Sequence, residues 1–135
     1  KMEQDYNVDT SRAGRVLLGH SYGGLFGAYT FCVNNKLFGH YLLLSPSLWF
    51  DNLITLQLEK DNRFLNRNWP ALVFMGIGEV ENSGRMQAPF ESFYQTIRDH
   101  YPAVKPARNR EKNLDHLGSR NPNIIKGLTW YFQNR

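Results

Sequence analysis

The hydrophobic residues of the chain gather in short, nearly unbroken runs that end at glycine or at a serine-proline pair. Such runs cover residues 15–18, 41–44 and 71–75. Apolar runs of this length are typical of parallel strands that are buried on both faces. We expect a fourth strand within residues 104–113, although Pro106 and several charges make it a weak one.

Between these runs, apolar residues recur at helical spacing. The pattern predicts helices over residues 23–34, 52–61 and 123–134, and another that has Pro89 in its first turn and stops at Pro102. The residues expected on the apolar helix faces are Leu25, Ala28, Tyr29 and Cys32, then Leu53, Leu56 and Leu58, then Phe90, Phe93, Tyr94, Ile97 and Tyr101, and finally Ile125, Leu128 and Phe132.

The alternation of strands and helices predicts the fold class. It favours an α/β fold with a mostly parallel sheet and helices on both faces. In such sheets functional groups collect in the loops at the carboxyl ends of the strands. We therefore search those loops first for chemistry.

Composition narrows the possible partners. The 135 residues correspond to one domain, and 41% of them are hydrophobic. The net charge of +4 comes from scattered Lys and Arg without a basic stripe, so we expect no nucleic-acid partner. No run is long enough to span a membrane, so no membrane partner is expected. The single cysteine, Cys32, excludes an internal disulfide and a thiolate metal cluster.

The candidate nucleophile is Ser21. Residues 19–23 read Gly-His-Ser-Tyr-Gly and match the G-x-S-x-G pattern, with an apolar strand before and an apolar helix after. This turn lifts a serine hydroxyl to the strand end, and the Tyr22 N–H is the expected oxyanion donor. The alternatives are a glycine-rich turn with an incidental serine, and a phosphate loop, whose G-x-G-x-x-G and G-K-[ST] patterns are absent.

A serine hydroxyl needs a base, and four histidines are available. His116 lies late in the chain, in a polar loop before the last helix, as the order serine, acid, histidine requires. His20 is expected to turn away from the reacting oxygen, in a packing or supporting role beside the substrate site. His40 falls at the wrong end of the sheet, and His100 lies near a helix end.

The acid should come from the loop after the third strand, which carries two glutamates. We prefer Glu81 because it has cleared the strand end, with Glu79 as the alternative that spacing leaves open. Asp115 is adjacent to His116 in sequence and would rarely reach its ring.

These residues resemble a known family. Residues 19–26, 37–38 and above all the Ser-Pro-Ser-Leu-Trp-Phe-Asp segment, 45–51, are similar to an esterase family of the α/β-hydrolase superfamily. That family includes siderophore (enterobactin-type) and feruloyl esterases, S-formylglutathione hydrolases and mycolyltransferases. The resemblance spans the chain from about residue 12 and is most specific to the siderophore esterases. It implies a Ser21–His116 pair with Glu81 or Glu79, and an acyl or aryl pocket lined by Ser47, Leu48 and Trp49.

The resemblance also implies what the chain lacks. Family members have several strands before the nucleophile strand, so we expect residues 1–135 to form the C-terminal part of an α/β-hydrolase domain, with its N-terminal strands missing. The second oxyanion donor would be missing too, and its loss typically costs about 100- to 1,000-fold in rate. An exposed sheet edge would favour a homo-oligomer or another pairing that covers it.

The predicted function is hydrolysis of small-molecule carboxylic esters, siderophore-type esters among them, through an acyl-enzyme and without a metal or organic cofactor. The alternatives are acyl transfer from the same site and a non-catalytic fragment. The compartment, cytoplasm or periplasm, stays open.

Overall fold

The computed structural model describes residues 1–135 and contains one four-stranded sheet. Its strands are β1 (Val16–His20), β2 (His40–Leu44), β3 (Ala71–Gly78) and β4 (Val104–Glu111). They lie in the order β1-β2-β3-β4, and every neighbouring pair is parallel. The helices are α1 (Met2–Asp5), α2 (Tyr22–Asn34), α3 (Phe50–Asn66), α4 (Ala88–His100) and α5 (Arg120–Asn134). Two short turns complete the chain, a 3-10 helix at Arg12–Gly14 and a π-helix at Ser83–Gln87.

Alternate residues of the inner strands face two separate cores, as expected for a sheet buried on both sides. The larger core joins the strands to α2 and α4, and includes Phe31, Tyr41, Leu43, Met75 and Phe93. The smaller core lies under α5 and includes Leu42, Leu44, Leu72, Phe74 and Tyr131. The predicted α/β class, with a parallel sheet and helices on both faces, is confirmed.

The weak fourth strand is present and lies at the edge of the sheet. β4 contains Pro106 and alternates between half-buried and exposed positions. An edge strand has one row of backbone groups that needs no partner strand, so proline and charged residues are tolerated there.

The helix faces were predicted less well. In α5, Ile125 and Phe132 are exposed, whereas Asn123, Gly127 and Tyr131 are buried. Gly127 is needed because α5 lies so close to β3 that a Cβ there would come within 2.9 Å of the Phe74 ring. The inner face of α5 therefore combines apolar side chains, among them Leu128 and Tyr131, with a glycine that permits close approach to β3.

Two further face assignments were wrong for related reasons. Tyr29 of α2 is exposed, because glycine and small residues, Gly27 and Ala28, face the sheet. Leu53 of α3 is also exposed, and its backbone φ of 63° falls in the left-handed region. No helix of the chain has both the length and the apolar character needed to cross a bilayer.

Candidate active site

Ser21 lies in a sharp turn between β1 and α2. Its backbone angles, φ 59° and ψ −116°, are strained for a residue with a side chain. A Cβ at Gly19 would overlap the Gly23 carbonyl oxygen, and one at Gly24 would come within 2.9 Å of the Leu44 oxygen. A Cβ at Gly23 would meet nothing within 4 Å. Close backbone approach therefore requires glycine at positions 19 and 24. It does not require glycine at position 23, although the G-x-S-x-G pattern has one there.

The Ser21 hydroxyl is within hydrogen-bonding distance of the imidazole predicted as its base. Its Oγ lies 2.9 Å from His116 Nε2, although 95 residues separate the two in sequence. The Ser21 N–H donates to the Leu44 oxygen (2.9 Å), and its carbonyl accepts from the Ser47 N–H (3.2 Å). These backbone bonds fix the turn against the loop after β2.

The other His116 nitrogen faces a carboxylate. Nδ1 lies 2.7 Å from Glu81 Oε1, so a neutral imidazole with its proton on Nδ1 donates to Glu81 and accepts from Ser21. Glu81 Oε2 accepts from the Ser45 hydroxyl and the Gly78 N–H, both at 2.7 Å. The Glu81 side chain is only 2% exposed and is therefore held rigidly.

The structure does not bring Glu79, the alternative acid, to His116. Its Oε2 accepts from the Asn113 N–H at 2.7 Å, and its own N–H donates to the Glu111 oxygen. Glu79 thus tethers the start of the loop that carries His116. In a regular strand, side chains two residues apart point to the same side of the sheet. Glu79 and Glu81 point to different partners because the chain turns after β3 ends at Gly78.

Two supporting residues were not found from the sequence. Ser45, with a positive φ of 40°, follows β2 and binds Glu81. The Gln87 amide donates to the Gly78 oxygen (2.7 Å) and lies near the Glu79 and Glu81 oxygens. Ser45 belongs to the Ser-Pro-Ser segment, whose resemblance to the esterase family could have drawn attention to it.

A cavity of about 220 Å³ opens beside the Ser21–His116 pair. Its wall is formed by Ser21, Tyr22, Ser47, Trp49, Arg85, Met86 and His116. The Tyr22 and Trp49 rings lie 6.2 Å apart, and the Arg85 guanidinium lies 3.7 Å from the Trp49 ring centre. Ser47 Oγ is 3.4 Å from Ser21 Oγ. Ser47 and Trp49 thus line the cavity beside Ser21.

Leu48 lies elsewhere. Its side chain is 1% exposed and packs into the larger core instead of lining the cavity. In a loop, neighbouring side chains point in different directions, so a three-residue signature need not line one pocket. The structure therefore does not bring Leu48 to the cavity wall.

His20, expected beside the substrate site, also lies outside the cavity wall. Its Nε2 donates to the His116 carbonyl oxygen at 2.9 Å, and the two rings lie 4.7 Å apart. Burial lowers the pKa of His20, which favours the neutral ring. His20 therefore contacts the loop that carries His116.

The remaining candidates lie away from the site. His40 begins β2 at the opposite end of the sheet and bonds to the Ala13 oxygen. Cys32 is fully buried, and burial raises the pKa of its thiol, which disfavours the thiolate. No group of three His, Cys, Asp or Glu side chains is arranged to hold a metal ion.

The first residue of α2 is Tyr22, and the N–H groups of the first helical turn have no partner within the helix. The positive end of the helix dipole points in the same direction.

The structure defines a class, a mixed α/β fold with a parallel sheet and a strained serine turn at the carboxyl end of its first strand. No family model matches the chain. It is 27% identical over 103 residues to the ferri-bacillibactin esterase BesA of Bacillus subtilis, a match that covers 72% of the chain and 34% of BesA.

Solved structures show the same fold. The BES protein from Bacillus cereus superimposes with a TM-score of 0.80 at 22% identity, over 94% of the chain and 47% of that protein. The siderophore hydrolase EstA from Aspergillus nidulans gives 0.75 at 22% identity, over 87% and 48%. The sequence resemblance to siderophore esterases is confirmed. The chain spans about a third of BesA and about half of these two structures.

Proposed function

We propose that the chain carries the catalytic centre of a serine hydrolase that cleaves carboxylic esters through an acyl-enzyme. The observation that carries this proposal is the continuous path from Ser21 Oγ to His116 Nε2 (2.9 Å) and from His116 Nδ1 to Glu81 Oε1 (2.7 Å). A nucleophile, a base and an orienting acid in hydrogen-bond contact form the arrangement of acyl-transfer enzymes.

The mechanism follows from these contacts. Ser21 Oγ attacks the ester carbonyl carbon while His116 Nε2 accepts its proton, and the resulting oxyanion receives a hydrogen bond from the Tyr22 N–H. The tetrahedral intermediate collapses, and His116 returns the proton to the departing alcohol. Water then attacks the acyl-Ser21 carbonyl in the same way. Glu81 holds the imidazole and stabilises the imidazolium in both steps.

For substrate, we propose siderophore-type esters. BesA is named a ferri-bacillibactin esterase and EstA a siderophore hydrolase, and the cavity beside Ser21 has aromatic and cationic side chains in its wall. Incubation with ferri-bacillibactin and analysis of the products would test this, with loss of cleavage in Ser21→Ala as the control. Cleavage of simple aryl esters without any cleavage of the siderophore would reject the substrate but retain the esterase.

A fluorophosphonate probe tests the nucleophile directly. We expect covalent labelling of the 135-residue chain at Ser21, loss of labelling in Ser21→Ala and strong slowing in His116→Gln. Ser47→Ala is the matched control, because it removes a neighbouring hydroxyl that this mechanism does not use as nucleophile. Absence of labelling in the folded wild-type chain would favour the non-catalytic alternative.

A further inference from the structure

Arg85 is the charged side chain of the cavity that the mechanism leaves unused. We infer that Arg85 is a specificity-determining residue, which selects esters carrying a carboxylate close to the scissile bond. The inference rests on the proposed function, since it concerns the same cavity and adds the charge of its substrate.

The backbone of Arg85 is held firmly. It lies in the π-helical turn Ser83–Gln87, whose first N–H groups are capped by Asn82. The Arg85 N–H donates to Asn82 Oδ1 at 2.7 Å, and the Met86 N–H donates to the Asn82 oxygen at 2.9 Å. The Met86 side chain is buried in the larger core and so fixes the turn against that core. The guanidinium therefore projects from a fixed base.

The guanidinium is held by an aromatic face and by no anion. It stacks on Trp49 at 3.7 Å, and it forms no ion pair with any carboxylate of the chain. Some other arginines do form ion pairs, for example Arg63 with Glu59 and Arg110 with Glu91. Stacking on a ring leaves the N–H groups at the edge of the guanidinium free to bind a planar oxyanion in two places.

Nothing else in the cavity neutralises this charge. No carboxylate belongs to its wall, and the nearby Glu81 is enclosed and already accepts from His116, Ser45 and Gly78. A neutral ester would leave the Arg85 donors to water, whereas a substrate carboxylate would receive charge-assisted hydrogen bonds. Arginine suits carboxylate because its fork matches the two oxygens.

Two ester substrates of matched size test the kinetic consequence, 4-acetoxybenzoate and the neutral 4-acetoxybenzamide. For the wild-type chain we expect kcat/KM to favour the anion by about tenfold or more, mainly through KM. Arg85→Gln should bring the ratio close to one, and Arg85→Lys should retain part of it. Raised salt should also lower the wild-type ratio, because the site is open to solvent.

Arg98→Gln is the matched control. Arg98 lies on α4, outside the cavity wall, and is paired only with its neighbour Asp99. Its substitution should leave the ratio unchanged. A wild-type ratio near one, or an unchanged ratio in Arg85→Gln, would overturn the inference while leaving ester hydrolysis intact.

Binding in the Ser21→Ala background separates this inference from the proposed function. Calorimetry should show tighter binding of 4-acetoxybenzoate than of the amide, and the added Arg85→Gln should remove the difference. If this discrimination holds but the wild type hydrolyses neither compound, the proposed function fails and the anion site stands. Equal binding of both compounds, or binding of neither, would reject the anion site.

Discussion

At the scale of single residues, the clearest contrast is between Glu81 and Glu79. They are two residues apart, yet only Glu81 reaches His116, while Glu79 binds the Asn113 N–H. We predict that Glu81→Gln lowers kcat by about 10³- to 10⁴-fold, because the amide can donate to Nδ1 and stabilise the wrong tautomer. Steady-state hydrolysis of an aryl acetate measures this effect.

Glu79→Gln is the control for that measurement. Its amide oxygen can still accept from Asn113, so we expect a change of less than about tenfold. A larger loss in Glu79→Gln than in Glu81→Gln would contradict the assignment of the acid.

His40 gives the protein a pH-dependent contribution to stability. Burial lowers its pKa below the ordinary 6.5. Its Nδ1 accepts from the Leu72 N–H and its Nε2 donates to the Ala13 oxygen, an arrangement open only to the neutral ring. The unfolded chain therefore binds more protons near pH 6. The contribution of His40 to the free energy of unfolding is complete above pH 6.5. It is lost as the pH falls toward the pKa of His40 in the folded protein.

We predict that the free energy of unfolding, measured in urea, decreases between about pH 7.5 and 5.5. His40→Gln should make this decrease shallower. Part of the decrease should remain, because burial also lowers the pKa of His20. His100→Gln, at an exposed helix end, should leave the slope unchanged. A slope as steep in His40→Gln as in the wild type would refute the assignment.

The sequence predicted some of these residues and not others, for a definite reason. Ser21 and His116 were predicted, because a motif and the chain order point to them. The choice of acid stayed open, since spacing does not show which way a side chain leaves a strand end. Ser45 and Arg85 were missed, because their importance depends on contacts with residues far away in the chain.

At the scale of elements, the turn between β1 and α2 places the strictest steric limit on which residues can occupy it. A Cβ at position 19 would overlap the Gly23 carbonyl, whereas a Cβ at position 23 would meet nothing. We predict that Gly19→Ala destabilises the fold by about 2 kcal/mol or more, because backbone atoms must move to admit the methyl group. Urea unfolding followed by circular dichroism measures the change.

Gly23→Ala is the matched control in the same turn. It lies in the first turn of α2, where alanine favours the helix, so stability should be unchanged or rise by up to about 1 kcal/mol. Equal destabilisation by both substitutions would show that close approach does not explain the glycines.

The strands were easier to predict than the helix faces. Unbroken apolar runs marked β1, β2 and β3 because a strand inside a parallel sheet is apolar on both faces. Of the residues predicted for the inner face of α5, Leu128 packs against the smaller core, but Asn123 and Gly127, a polar and a small residue, were missed. Hydrophobic periodicity does not mark such residues, because Gly127 permits close approach and the Asn123 amide donates to the Ile77 oxygen.

At the scale of the whole molecule, the order β1-β2-β3-β4 places four loops at one edge of the sheet, and these loops supply Ser21, Ser45, Glu81 and His116. The sequence could predict this meeting because every strand is parallel and functional loops follow carboxyl ends. The sequence could not predict the distances between these side chains, since the distances depend on how the helices pack against both faces of the sheet.

The same strand order leaves β1 as an outer strand with α2 packed beside it. An outer strand presents unpaired N–H and C=O groups, and α2 adds an exposed apolar stripe at helical spacing. That stripe consists of Tyr22, Phe26, Tyr29 and Val33. When the 135-residue chain is alone in solution, the available partner for this surface is a second copy. We therefore predict concentration-dependent self-association in sedimentation velocity experiments.

Substitution within the stripe should weaken that association. Phe26, which is 57% exposed, makes no large core contact to lose, so Phe26→Lys should shift the population toward monomer while the melting temperature stays nearly unchanged. Phe64→Lys, at an 81% exposed position of α3 outside the stripe, adds the same charge and should leave the association constant as in the wild type. A monomeric wild type at all concentrations, or equal weakening by Phe64→Lys, would show that the stripe does not mediate self-association.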